Sequence, residues 1–116
     1  MTFIPVEIDI KPKSFPNIIK VDRRANIPVA IRTTPSFDAT TVDPLAVEFG
    51  PSGARETHSR GHPEDVDGDG DTDLVLHFPT PATGIRCGDT SATLRGKTFD
   101  GRDIQGSDSI LTRGCE

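Results

Sequence analysis

Apolar and polar residues alternate in several short runs of this chain. Ile4, Val6, Ile8 and Ile10 share one face of an extended segment, with Pro5, Glu7 and Asp9 on the other. Pro12 and Pro16 end that run. Ile27, Val29 and Ile31 repeat the pattern, as do Leu45, Val47 and Phe49, which Gly50-Pro51-Ser52-Gly53 closes. Leu74, Leu76 and Phe78 form an inward set, with Val75 and His77 on the opposite face. Ala92 and Leu94, then Ile104 and Ile110, continue the alternation on either side of a turn at Asp100-Gly101. Weaker extended stretches are read at 18–21 and 55–58. No apolar stripe of helical period persists over three turns; a single helical turn is expected at Leu45-Ala46, after Asp43-Pro44. The pattern predicts an all-β fold, a β-sandwich of about 7–9 short, mostly antiparallel strands. Pro5 places the first strand at a sheet edge.

Composition supports that reading. At 116 residues, with no internal repeat and no Gly/Ser linker, the chain is read as one domain over 1–116. Ile and Val number 17 against 6 Leu and Met, a bias towards strands. No run approaches the roughly 18 apolar residues of a membrane span. The net charge of -5 argues against a nucleic-acid binder held by phosphate contacts, and the lack of Trp and Tyr leaves few stacking platforms. The N-terminal MTFIPVEIDIKP carries charges and prolines where a signal peptide has an apolar region. A secreted protein is therefore represented here in mature or trimmed form, or as a module of a longer chain.

The acidity has one source. Residues 64–73, EDVDGDGDTD, hold six of the 18 acids, leaving 12 acids against 13 bases elsewhere. Asp65, Asp67, Asp69, Asp71 and Asp73 follow the pattern D-x-D-x-D-G-x-x-D. Carboxylates at positions 1, 3 and 5 of a tight loop converge on one point, and Gly70 at position 6 permits the sharp turn. Asp71 at position 7 offers its backbone carbonyl, and Asp73 at position 9 its side chain or a bridging water. Hard oxygen donors in a flexible loop select Ca²⁺. Position 12, where a helix-loop-helix calcium site carries a bidentate Glu, is Leu76, an inward strand residue. Glu64, or Asp9 of the first strand, is a candidate to complete the shell.

The other reactive residues carry less. His58 and His62 stand four apart, but Gly61 and Pro63 disfavour the helix that such spacing needs, so they are read as exposed turn residues. His77 is read as a half-exposed strand residue. Ser107 and Ser109 lack a nucleophile elbow. Glu7 and Asp9 share a strand face without the aromatic platforms of a glycosidase. The expectation is therefore a chain that is not an enzyme. Cys87 and Cys115, an even pair in a turn-rich domain, predict one disulfide and an oxidising compartment.

The acidic loop resembles the calcium loops of integrin-type β-propellers, thrombospondin type 3 repeats and dockerins. VEIDIKPKSFPN (6–17), the segments 27–54 and 62–78, and 87–110 resemble an uncharacterised module of bacterial and archaeal secreted and surface proteins. That resemblance implies an extracellular calcium-binding β-domain and supplies no reaction. Together these readings predict a calcium-stabilised structural module, extracellular or at the cell surface, used in adhesion or in self-assembly into a fibre or layer. Copies of itself, joined head to tail by strand addition, or a cell-surface protein or glycan are the expected partners. The alternative is a calcium-dependent carbohydrate- or protein-binding module of a larger secreted protein.

Overall fold

A computed structural model describes residues 2–115. The chain is all-β. Its strands in order are β1 (Ile4–Pro5), β2 (Glu7–Ile10), β3 (Ile18–Lys20), β4 (Asn26–Arg32), β5 (Glu48–Phe49), β6 (His62–Glu64), β7 (Asp73–Pro79), β8 (Ser91–Lys97), β9 (Asp103–Ser109) and β10 (Leu111–Arg113). A single helical turn, α1 (Thr80–Thr83), follows β7. No helix among the described residues is long and apolar enough to cross a membrane.

The strands form a sandwich. One four-stranded sheet has the order β1-β9-β8-β5 and the other β2-β4-β7-β6, with a small β10-β3 pair beside them. Most pairings are antiparallel; β1 with β9 and β3 with β10 are parallel. The two inner faces share one core. Ile10, Val29, Ile31, Leu76 and Phe78 from one sheet meet Phe49, Leu94 and Ile104 from the other, and all are buried. Phe49 and Phe78 stack across the layers with ring centroids 5.1 Å apart. The alternation in the sequence thus maps onto the two faces of each sheet.

Several expectations are revised. The first apolar run is divided between the two sheets: β1 pairs with β9, β2 pairs with β4, and Val6 lies at the crossing, where its N–H donates to Gln105 O at 3.0 Å. A strand edge at Pro5 is observed, since β1 ends its sheet. Leu45 does not point inward. It belongs to a 3-10 turn over Pro44–Ala46, capped by the Asp43 carboxylate on Leu45 N, and is 64% exposed. That cap fixes the expected helical turn and leaves only Glu48–Phe49 extended. Residues 55–58 are not a strand either; the segment turns at Thr57 and His58. The Cys87–Cys115 disulfide is formed, with Cα atoms 5.7 Å apart, and it ties the end of the chain to the loop before β8.

Candidate metal sites on the β6–β7 hairpin

The acidic segment is the connection of one hairpin. Glu64 of β6 pairs with Asp73 of β7, so residues 65–72 form the loop between them. Hairpin closure brings Asp65, just past β6, beside Asp73, the first residue of β7. The backbone at Gly70 has φ +92 with open space around it, which lets the chain turn back at position 6. Asp65 organises that turn: its Oδ1 accepts from Gly68 N and its Oδ2 from Gly70 N, each at 3.0 Å. Asp67 and Asp69 accept from Asp69 N and Asp71 N in the same manner.

Two residues fasten the loop to the sheet. Val66, at position 2, folds inward and is buried with Ala30 and Val75 on the outer face of the β2-β4-β7-β6 sheet. Asp73 is 0% exposed. Its Oδ1 accepts from Thr33 N at 2.7 Å and its Oδ2 from Val66 N at 3.0 Å, so one carboxylate joins the end of β4 to the loop.

Asp65, Asp67 and Asp73 offer carboxylate oxygens that all lie within 4.8 Å of one another. Like charges this close repel, and Arg32 of β4 offsets the repulsion. Its Nη2 and Nε reach Asp67 Oδ2 at 2.7 and 3.1 Å, and its Nη1 lies 3.5 Å from Glu7. The Arg32 guanidinium holds the Asp67 carboxyl at about 2. At Asp69 the Asp71 backbone N–H favours the charged form, but desolvation and the neighbouring Asp67 outweigh it and the pKa rises. Three hard oxygen donors on a short loop suit a divalent cation. Asp69 and Asp71 stand outside this group of three, as do Glu64 and Asp9. Asp9 lies on β2 opposite Ala30; burial and the charge of Asp108 raise its pKa.

A second cluster occupies the same hairpin. His58, His62 and His77, the chain's three histidines, converge with Glu56, and one ligand atom from each lies within 4.8 Å of the others. The ring centroids are 5.2–5.9 Å apart in edge-to-face pairs. His58 is an exposed turn residue, as expected, though its ring meets the other two; His62 departs from the expectation, being half-buried in β6. His77 is half-exposed, as expected. The hairpin register explains the meeting. His62 pairs with Val75, and His77 lies two residues further along the same face of β7. The loop signal allows this count from the sequence, because setting Glu64 opposite Asp73 makes His62 and His77 diagonal neighbours on one face. Gly61 lets the strand lie close to β7, since a Cβ there would come within 2.3 Å of Leu74.

Compared with family models, with curated proteins and with solved structures, the chain finds no match in any of the three.

Proposed function

We propose that this chain is a non-catalytic, extracellular β-sandwich module whose acidic loop binds Ca²⁺ and is stiffened by it. The observation that carries the reading is the convergence of Asp65, Asp67 and Asp73 at the closed end of the β6–β7 hairpin. Asp69, the Asp71 carbonyl and Glu64 are close enough in sequence to join the shell once an ion draws the loop in, since Ca²⁺ takes roughly 6–8 oxygens. Asp73 and Val66 fix the base of the loop to the sheet, so order at the ion is passed to the sandwich. The disulfide supports an oxidising compartment. There, Ca²⁺ near millimolar fills even a site of about 10⁻⁴ M, and tenfold saturation stabilises by about 1.4 kcal/mol.

Such a rigid block serves adhesion or self-association. β1 and β2 each end a sheet, paired on one side with β9 and β4, so a neighbour's strand would add along their free edges or along those of β5 and β6. The edge strands are short, and Pro5 and Pro63 remove donors from two of them, which limits uncontrolled pairing. The test is a melting curve in millimolar Ca²⁺, in Mg²⁺ and in chelator, with light scattering in parallel. The midpoint is expected to fall by several degrees on chelation, with no comparable response to Mg²⁺ and with Asp67→Ala behaving like chelated protein. Identical midpoints with Ca²⁺ and chelator would overturn the calcium reading. A monodisperse monomer in Ca²⁺ would remove self-assembly and leave a block that binds another surface.

A further inference from the structure

We infer that Glu56, His58, His62 and His77 form a second metal site, separate from the acidic loop, that takes a borderline transition-metal ion of the Zn²⁺ class. The donor chemistry differs from that of the loop. Three imidazoles and one carboxylate suit Zn²⁺ and its neighbours, and are a poor set for Ca²⁺. One ligand atom from each residue already lies within 4.8 Å of the rest. The edges of a tetrahedral Zn²⁺ site are roughly 3.4 Å, so small side-chain rotations close it.

Unsatisfied buried atoms point the same way. His62 Nε2 and His77 Nδ1 are buried and have no hydrogen-bond partner among the described residues. His77 Nδ1 lies 3.6 Å from Glu56 Oε2, and His58 Nδ1 lies 3.8 Å from the same oxygen, too far for hydrogen bonds. The Glu56 side chain is 1% exposed. Backbone N–H groups of His58, Arg60 and His77 hold it, but among the described residues its ion-pair partners are histidines alone. Two buried imidazole nitrogens without partners, one of them 3.6 Å from the buried Glu56 carboxylate, leave donor atoms free for a divalent ion. The donations to Glu56 and the turn at 56–60 place the ligands before the ion arrives. Four protein donors make a closed, structural site, and exposed His58 is its entry. The ion would clamp the 56–62 segment onto β7, at the open side of the hairpin that the acidic loop closes.

The experiment uses untagged protein in saturating Ca²⁺. Co²⁺ is titrated while its visible ligand-field absorption is followed, and Zn²⁺ is then added as competitor; calorimetry gives the Zn²⁺ stoichiometry. One equivalent is expected, with the intense absorption of a four-coordinate Co²⁺ site that Zn²⁺ abolishes. His58→Gln, on an exposed side chain, and His62→Gln should each weaken Zn²⁺ at least about tenfold. Asp67→Ala should leave Zn²⁺ binding unchanged. Absence of saturable binding would overturn the proposal, as would binding indifferent to His58→Gln or binding lost in Asp67→Ala. The last result would assign the ion to the acidic loop.

Discussion

Replacing Asp73 with alanine, in protein stripped of divalent ions by chelator, isolates the part of the acidic loop that needs no metal. Asp73 is fully buried, and each of its oxygens accepts one backbone N–H, from Thr33 at 2.7 Å and Val66 at 3.0 Å. Alanine leaves both donors without partners. An unsatisfied buried donor costs about 1–3 kcal/mol. Two of them bracket a loss of about 2–6 kcal/mol, and water entering beside the exposed loop lowers it to about 3 kcal/mol. For a domain of this size that corresponds to a midpoint about 10–15 °C lower. Asp73→Asn should also destabilise, because its amide turns a donor towards one of the two N–H groups. Asp67→Ala is the control: its partner Arg32 is at the surface, and in chelator its stability should stay close to the unmodified protein. Urea denaturation of the three variants, with and without Ca²⁺, separates the roles. Both alanine variants should lose the calcium response, and without Ca²⁺ the Asp73 variants should be weak while Asp67→Ala is not. If Asp73→Ala in chelator lies within about 0.5 kcal/mol of the parent, the two hydrogen bonds do not anchor the loop and the reasoning fails.

Two further outcomes are expected. Changing both Cys87 and Cys115 to Ser opens a loop of 28 residues' separation, for which the chain-entropy relation gives about 3–4 kcal/mol; denaturation in chelator should show that loss added to any calcium effect, and an unchanged midpoint would contradict it. Carboxyl NMR titration of chelated protein should find Asp67 protonating at about 2, and Asp69 above the ordinary aspartate value. A depressed carboxyl stabilises the folded state fully above its unfolded value, near pH 4, and loses that contribution as pH falls through its folded value; for Asp67, paired at the surface where solvent screens Arg32, that contribution is small. Arg32→Gln should raise the Asp67 value; no change would show that the ion pair does not set it.

The fold class was legible because burial follows period-2 alternation. Ile8 and Ile10, Ile27, Val29 and Ile31, Leu74, Leu76 and Phe78, and Ala92 and Leu94 all turn into the core, while Ala30 and Val75 on the other face are buried only because Val66 of the acidic loop covers them. The run at Leu45 misled because a local contact, the Asp43 carboxylate on Leu45 N, outweighs the pattern. The single first strand became two because alternation records which way side chains point, and not which strand lies beside them. Parallel pairing of β1 with β9 joins Ile4 to Ile104, a contact between opposite ends of the chain.

The acidic loop shows the same division. Aspartate spacing and Gly70 are local, so the sequence itself marks a loop able to gather oxygen donors. That Asp73 is a buried anchor, that Val66 packs onto Val75, and that Arg32 offsets the charge of Asp67 depend on β4 lying beside β7. The histidine cluster was missed for a related reason. Spacing along the chain relates His58 and His62 only through a helix, whereas these side chains gather by cross-strand pairing and by a turn held on Glu56. Local spacing can be read along one chain; a site assembled across a sheet exists only once burial of the apolar faces has fixed the register between strands.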